Sequence, residues 1–266
     1  TMTTSALYRS ISKLSLALPL CLAISNVNAS TLKVAMTAAD IPLTLGQPDQ
    51  GYEGNRFTGI TLYDSLIEWD LSQGEKPSGL VPGLATSWHV DKDDHTKWII
   101  KLRSNVTFHD GTPFNADAVV WNVNKVLDKG AIQYAPNQVG STVSRMPTLR
   151  SARKIDENTV ELTTSVPDAV LPYNITNLFI VSPSAWQKDY DEVDTAITDI
   201  KKRASTAWTI FAANAVGTGP FKMTKLVPHQ QLVMSKNANY WNPQRIPRVD
   251  KVILIPLPEA NARTAA

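Results

Sequence analysis

Residues 84–128 read LATSWHVDKDDHTKWIIKLRSNVTFHDGTPFNADAVVWNVNKVLD and combine two strand-like segments with two turns and a helix. In residues 86–90 and 97–102, apolar and polar side chains alternate, which is the period of half-buried strands. The charged residues 91–95 between them are too polar to bury and predict a hairpin loop. This stretch therefore predicts a sheet that a helix covers.

The second half of the same stretch has readable turn and helix signals. Residues 109–113 reverse the chain, because Gly111 can adopt a positive φ and Pro113 fixes its own φ. Asn115 is placed to cap a helix, and Asp117 suits the positive end of the helix dipole. The spacing of three valines predicts one apolar helix face: Val119, Val123 and Val126.

The order of these pieces resembles the family 5 solute-binding proteins of bacterial ABC importers, which bind oligopeptides, dipeptides, nickel complexes and related solutes. The family shows a Leu-Ala-x-x-Trp strand, an acidic turn, a strand ending in Leu-Arg, a Phe-His-Asp-Gly-x-Pro turn and an Ala-Asp-Ala-Val helix. Here these elements are Leu84-Ala85 with Trp88, Leu102-Arg103, Phe108-His109-Asp110-Gly111 with Pro113, and Ala116-Asp117-Ala118-Val119.

The resemblance implies a mixed α/β fold of the periplasmic binding protein-like type II class. Residues 30–46 and 186–266 would form the main part of its first lobe, and residues 47–185 an inserted subdomain. The resemblance covers residues 31–266 but only about half of a family member, so the second lobe is expected to be missing. Because one lobe cannot enclose a solute, a truncated chain is expected to bind weakly.

The implied function is that of a periplasmic component of an ABC importer, which captures a peptide or a similar small solute and delivers it to the membrane permease. The expected protein is a monomer without enzymatic activity and without a cofactor. An alternative from another class is a secreted hydrolase that uses scattered carboxylates. A cleft that joins two carboxylates would favour the hydrolase, whereas carboxylates bonded within turns would remove it.

Composition supports a globular protein that does not bind nucleic acid. The chain is 43% hydrophobic and 19% charged, which suffices for a core. Its formal charge of +2 comes from Arg9 and Lys13, because without them 24 basic residues face 24 acidic ones. A nucleic-acid-binding protein would normally carry a basic surface.

Residues 1–29 have the pattern of a secretory signal peptide. Basic residues precede the apolar run 14–24 (LSLALPLCLAI), and Val27 and Ala29 provide small residues for cleavage. The apolar run is shorter than the roughly 20 residues of a spanning helix. Cys21, the single cysteine, falls within this segment and follows Leu20, which fits a lipoprotein leader poorly. We expect cleavage before Ser30 and export to the periplasm.

Several other segments give predictions that the structure can test. Residues 57–71 (FTGITLYDSLIEWDL) predict an amphipathic helix, and residues 153–165 a second hairpin. Residues 128–147 show no periodicity. Residues 189–207 predict an exposed charged helix and loop, and residues 252–257 (VILIPL) a strand that is buried on both faces.

The first group of candidate binding residues follows the first predicted strand, residues 31–36. In the resembling family this strand and the loop after it line the solute cleft. Within that loop, Tyr52, Asn55 and Arg56 are best able to make specific contacts with a solute. The alternative is a solvated surface loop.

The second group lies in residues 215–227 (AVGTGPFKMTKLV) and in the later Tyr-Trp pair. The glycines do not form a phosphate loop, because the dinucleotide and P-loop fingerprints are incomplete and Pro220 removes a backbone donor. A tight turn entering a strand fits better, and in the resembling family this turn lies near the cleft. The candidates are Gly217, Thr218, Gly219, Phe221 and, as a flat side chain that suits solute clefts, Trp241.

Catalytic and metal patterns are not found in the sequence. The histidines stand at positions 89, 95, 109 and 229, and none is spaced from another as zinc ligands on a helix are. No Gly-x-Ser-x-Gly elbow is present. Acidic residues such as Asp91 and Asp93 fall in predicted turns, where carboxylates accept backbone hydrogen bonds.

Overall fold

A computed structural model describes residues 28–46 and 51–265 of the chain. Within these residues the strands are β1 Thr31–Met36, β2 Ile67–Trp69, β3 Leu80–Pro82, β4 Ala85–Val90, β5 Lys97–Leu102, β6 Leu149–Asp156, β7 Thr159–Thr164, β8 Phe221–Val227, β9 Gln231–Lys236 and β10 Lys251–Pro256. The helices are α1 Tyr52–Gly54, α2 Ile60–Leu62, α3 Ala116–Leu127, α4 Pro136–Arg145, α5 Leu171–Asn174, α6 Pro183–Asp191, α7 Ile200–Ala213 and α8 Ala260–Ala265. A π-helical turn spans Asn55–Gly59, and 3-10 turns span Ile175–Asn177 and Pro243–Arg245.

The strands form two four-stranded sheets and a short ribbon. One sheet has the order β1-β10-β9-β8, in which only the β1–β10 pair is parallel. The other has the order β4-β5-β7-β6 and is antiparallel throughout. Strands β2 and β3 pair as a separate antiparallel ribbon. The mixed α/β class that the sequence predicts is confirmed.

The opening stretch folds as predicted. In the β4–β5 hairpin, Trp88 lies opposite Ile100 and Val90 opposite Trp98. The side chain of Asp91 accepts hydrogen bonds from two backbone N–H groups of the hairpin loop, at 2.8 and 2.9 Å. This is the structural role that turn carboxylates usually have.

Helix α3 also begins and packs as its sequence predicts. The side chain of Asn115 accepts a hydrogen bond from the N–H of Ala118 at 3.0 Å, which satisfies one of the free donors at the helix start. Val119, Val123 and Val126 are buried. Val119 and Val123 belong to a core that α3 shares with the β4-β5-β7-β6 sheet. In this core the apolar face of the helix packs on the apolar face of the sheet.

A second core lies between the β1-β10-β9-β8 sheet and helices α6 and α7. Its aromatic centre includes Trp186, Trp208 and Phe211, and the sheet contributes Leu232, Met234 and Leu254. Tyr63, Phe179 and Val181, from the segment 47–185, pack into the same core. The division into a main part and an inserted subdomain stays a prediction.

The prediction of one helix over residues 57–71 is wrong. Helix α2 ends at Leu62, Tyr63 is extended with φ −130° and ψ 169°, and residues 67–69 form β2. Carbonyl groups that would continue the helix bond to distant segments instead. The carbonyl of Leu62 accepts from the N–H of Gly219, and that of Leu66 accepts from Gly83 and Ala85. Tertiary partners therefore override the helical periodicity.

Residues 128–147, which carry no apolar periodicity, contain helix α4. Its buried side chains include Gln138 and Thr142, so the buried face is polar and no hydrophobic signal marks it. Pro136 occupies the first helical turn, where a missing N–H costs nothing.

Two further predictions need correction. The segment 189–207 is largely exposed as predicted, but Val193, Ala204 and Ala207 within it are buried, and helix α7 continues beyond it to Ala213. Strand β10 is not buried on both faces, since Val252 and Leu254 are buried while the residues between and after them are half-buried. An alternating pattern of this kind marks a sheet with one packed face.

Within the described residues, no helix is long and apolar enough to cross a membrane. The predicted leader, residues 1–29 with Cys21, lies outside the described residues except for its last two positions.

Candidate functional site

A cavity of about 650 Å³, open to solvent on one side, lies where the segment 51–60 meets β2, α4 and α5; we name it the main cavity. Its volume is in the range of small-molecule sites. It is lined by Gly51, Asn55, Arg56, Ile60, Trp69, Leu71, Arg145, Tyr173, Asn174, Thr176, Asn177 and Phe179.

One wall of the main cavity is aromatic and exposed. The ring centres of Trp69 and Tyr173 are 5.8 Å apart, with 41% and 48% of these residues accessible to solvent. Leu71 beside them is 63% exposed. Large apolar side chains that are exposed in a cavity indicate a binding surface, because a ligand that covers them removes their apolar area from water, which is favourable.

Another part of the cavity wall is polar. It is formed by Asn55, Arg145 and Asn177, which we name the amide–guanidinium cluster. Nη1 of Arg145 donates to the Oδ1 atoms of Asn55 and Asn177, at 3.2 and 3.1 Å. Nδ2 of Asn55 donates to the same oxygen of Asn177 at 3.2 Å. The π-helical turn, the end of α4 and a 3-10 turn are thereby joined at the cavity wall.

The structure places the first group of sequence candidates at this cavity. Asn55 and Arg56 line it, and Arg56 is exposed. Tyr52 begins α1, but its side chain is outside the part of the structure that is described.

The second group lies elsewhere, around the buried carboxylate of Asp64. Oδ2 of Asp64 accepts hydrogen bonds from Oγ1 of Thr218 and Nε1 of Trp241, both at 2.8 Å. Oδ1 accepts from the hydroxyl of Tyr240 at 2.5 Å. We name these four residues the Asp64 cluster. None of these four residues is among the described residues that line the main cavity, and neither is Phe221, which starts β8 and packs against the second core.

Gly217 and Gly219 allow the chain to approach the 61–63 backbone closely. A Cβ atom on Gly217 would lie 2.2 Å from the carbonyl oxygen of Leu62, and one on Gly219 would lie 2.5 Å from the N atom of Tyr63. Real Cβ atoms do not come this close, so both positions require glycine. The Gly-Thr-Gly-Pro-Phe turn thus has a clear structural role.

His109 connects the opening stretch to this turn. Its backbone N–H donates to the carbonyl of Gly217 at 2.8 Å, and its Nε2 lies 2.9 Å from the carbonyl of Gly219. Burial lowers the pKa of His109 to about 4, so the ring is neutral at physiological pH. Nε2 is then the donor to Gly219, and the histidine positions the turn instead of binding a metal.

Glu68 lies between the Asp64 cluster and a smaller cavity of about 40 Å³, which shares Trp69 and Phe179 with the main cavity. Its Oε2 accepts a hydrogen bond from Nη1 of Arg245 at 2.6 Å. Burial, together with the nearby Asp64 carboxylate, raises the pKa of Glu68 to about 9, and Arg245 offsets only part of this increase.

This raised pKa predicts a pH-dependent stability. Between the ordinary pKa of 4.5 and about 9, the folded protein holds a proton on Glu68 that the unfolded chain releases. The free energy of unfolding should therefore fall as pH rises through this window, by at most about 1.4 kcal/mol per pH unit. Glu68→Gln imitates the protonated acid, so urea denaturation across this pH range should give a flatter curve for the variant.

The matched control is Glu75→Gln, which removes a carboxylate from an exposed position and should parallel the wild-type curve. Parallel curves for wild type and Glu68→Gln would contradict the assignment of the proton to Glu68.

Sequence reasoning missed the aromatic wall and the guanidinium of the main cavity. Trp69 lies within the predicted helix 57–71 and Tyr173 in a mostly apolar run, so nothing local marks them as neighbours. Arg145 ends a helix that had no hydrophobic signal. Only the tertiary pairing of β2 with β3 and the fold of residues 171–177 bring these side chains together.

The hydrolase alternative requires carboxylates that face a cleft. The described residues that line the main cavity include no Asp or Glu, and the smaller cavity has Glu68 as its single carboxylate. Among the described residues, no group of three or more His, Cys, Asp and Glu side chains is arranged to hold a metal ion.

Comparison with known proteins gives a consistent result. A sequence model of the bacterial extracellular solute-binding proteins, family 5 Middle, matches residues 79–266. The dipeptide-binding protein of Escherichia coli K12 is 27% identical over 244 residues, which are 83% of this chain and 41% of that protein. Heme-binding protein A of Haemophilus influenzae is 28% identical over 221 residues, covering 77% of this chain and 36% of that one.

Solved structures show the same fold. A periplasmic binding protein DppA of Helicobacter pylori, in complex with the peptide STSA, superimposes with a TM-score of 0.68 at 24% identity, over 90% of this chain and 44% of that chain. A dipeptide-binding protein of a Pseudoalteromonas species, in complex with Met-Leu, has a TM-score of 0.70 at 19% identity, over 88% and 45%. The chain thus spans less than half the length of these relatives.

Proposed function

The chain belongs to the bacterial extracellular solute-binding proteins, family 5, and we propose that it captures a peptide or a similar small solute in the main cavity for delivery to an ABC permease. This family consists of solute-binding proteins and not of enzymes. Relatives named for dipeptides, di- and tripeptides and glutathione support a peptide-like solute.

The observation that carries the proposal is the chemistry of the main cavity. Trp69 and Tyr173 offer flat surfaces for apolar side chains, and such rings bind at a low cost in conformational entropy. Asn55, Asn174 and Asn177 supply amide groups that can donate to and accept from a peptide backbone. A cavity that is largely apolar with a few convergent polar groups is the usual form of a small-solute site.

The two groups of sequence candidates have different roles in this proposal. Asn55 and Arg56, with Tyr52 in the same segment, contact the solute. Gly217, Thr218, Gly219, Phe221 and Trp241 support the cavity from behind, through the Asp64 cluster and the β8 strand.

The proposed compartment is the periplasm, where the protein acts as a monomer. Two similar proteins are described as periplasmic. The signal-peptide pattern of residues 1–29 is in accord with export. A neutral balance of charges outside that segment gives no reason to expect a nucleic-acid partner.

The 266-residue chain by itself is proposed to bind weakly. The main cavity is open on one side, and its aromatic wall remains exposed to solvent. Good small-molecule sites cover most of their ligand, so a solute held on one face forms only part of the possible contacts. A dissociation constant in the millimolar range corresponds to about −4 kcal/mol.

The proposal is tested by titration of the chain with a mixture of dipeptides, followed by NMR of the tryptophan indole N–H signals. The Trp69 signal should shift in a saturable way. Trp69→Ala removes this reporter, so its affinity is followed on the NMR signals of the dipeptides themselves. Binding should be about tenfold weaker, because an aromatic contact of this kind contributes about 1 kcal/mol or more.

The control for this variant is Ile155→Ala, which truncates a side chain with similar exposure (44%) outside the main cavity. It should leave the affinity unchanged. Absence of binding by the wild-type chain, or an unchanged affinity of Trp69→Ala, would refute the proposed site.

A further inference from the structure

As far as its described lining residues show, the main cavity contains positive charge without a matching carboxylate. Arg56 and Arg145 both line it, and no Asp or Glu is among the described lining residues. Elsewhere Arg153 forms an ion pair with the carboxylate of Glu161, and Arg245 donates to the carboxyl group of Glu68. Among the described residues, neither cavity arginine has such a partner.

Arg145 is also held in a fixed orientation. Both of its contacts in the amide–guanidinium cluster run through Nη1, to Oδ1 of Asn55 and Oδ1 of Asn177. A guanidinium has five N–H donors in a planar fork. The described residues therefore give no acceptor to Nε and Nη2, which form the side of the fork suited to bidentate binding of an oxyanion.

The setting of Arg145 explains why this orientation persists without a counter-ion. It is the last residue of α4, where the negative end of the helix dipole favours a cation. The two amide oxygens compensate part of the lost hydration of the half-buried guanidinium. The arrangement stabilises the charge without neutralising it, so a bound anion would find the cation already in place.

On this basis we infer that Arg145 binds a carboxylate of the solute, so that the main cavity selects solutes with a carboxylate next to an aromatic or large apolar group. This inference rests on the proposed function and names its solute class. Arg56, exposed at the same cavity, adds positive charge that attracts the anion. Trp69 and Tyr173 receive the apolar group.

The carboxylate can be the C-terminus of a peptide or an acidic side chain, and the two sources are separable by three probes. These are alanyl-phenylalanine, its C-terminal amide, and glutamyl-phenylalanine amide, each titrated into the full chain with NMR detection of the Trp69 indole signal. Alanyl-phenylalanine should bind about tenfold or more tightly than its amide, since a hydrogen bond to a charged group is typically stronger than a neutral one. If glutamyl-phenylalanine amide binds as tightly as alanyl-phenylalanine, a side-chain carboxylate can also be the group that Arg145 binds.

Arg145→Gln keeps a planar donor but removes the charge, and it should bring the acid and amide affinities to within about twofold of each other. The matched control is Arg150→Gln, because Arg150 is exposed and donates to the backbone carbonyls of Pro147 and Leu149. That variant should keep the full preference for the acid. Circular dichroism of both variants verifies that they are folded.

The outcomes separate the inference from the function on which it rests. If the wild-type chain binds the acid and the amide equally well, or if Arg145→Gln keeps the preference, the inference is overturned while solute binding stands. If none of the three probes shifts the Trp69 signal at millimolar concentration, peptide binding at this cavity and the inference fall together.

Discussion

Gly217→Ala is expected to be the most destabilising single substitution in the Gly-Thr-Gly-Pro-Phe turn. The added Cβ would lie 2.2 Å from the carbonyl oxygen of Leu62 and 2.3 Å from Cδ1 of Tyr63. The first of these atoms is backbone and the second belongs to a fully buried ring, so neither can move without disturbing the core. We expect a loss of roughly 3 kcal/mol or more in the free energy of unfolding, at the upper end of overpacking effects.

Gly140→Ala provides the matched control. This glycine lies in α4, and a Cβ placed there would meet no atom within 4 Å. Alanine favours a helix interior over glycine, so the control should be neutral or more stable by up to about 1 kcal/mol. Urea denaturation of both variants measures the difference. A Gly217→Ala protein as stable as wild type would show that the turn and the 61–63 backbone do not approach each other as described.

The β4–β5 hairpin and α3 could be predicted from sequence because their signals are local. Alternation in two strands, a polar loop and an Asn cap each act within a few residues, and the structure places all of them as expected. The segment 57–71 shows the opposite case. Its helical periodicity is real, but the carbonyl of Leu62 bonds to a segment about 150 residues away and that of Leu66 to one about 20 residues away, which no local pattern reveals.

The candidate site depends even more than this segment on contacts between residues that are distant in sequence. Asn55 and Arg56 could be selected from a loop that follows the first strand, because their side chains are polar and the resemblance points to that loop. Trp69, Arg145 and Tyr173 come from three unrelated parts of the chain and meet only in the folded protein. Sequence reasoning identified the Gly-Thr-Gly-Pro-Phe turn as a conspicuous pattern, and the structure gives that pattern a packing role around Asp64.

Asp64→Ala is expected to cause the largest loss of stability among polar substitutions. Asp64 is 2% exposed, and its two oxygens accept three hydrogen bonds, from Thr218, Tyr240 and Trp241. These donors come from positions about 150 to 180 residues later, so the carboxylate joins the segment before β2 to residues 218 and 240–241. Its removal leaves three donors without their acceptor in a region that water barely reaches. Each hydrogen bond to a charged group contributes about 1.5–3 kcal/mol, and the donors would relax in part, so we expect a loss of roughly 4 kcal/mol.

Asp93→Ala is the control, since Asp93 is exposed in the β4–β5 loop and its loss should change stability by no more than about 0.5 kcal/mol. Chemical denaturation gives the two free energies, and the NMR signal of the Trp241 indole N–H, which donates to Asp64, reports on the cluster itself. Asp64→Ala also removes the negative neighbour that helps to raise the pKa of Glu68, so the pH dependence assigned to Glu68 should shrink in the variant. If Asp64→Ala loses stability but keeps the full pH dependence, the Asp64 carboxylate does not contribute to the raised pKa of Glu68. In that case burial alone would be responsible for the raised pKa of Glu68.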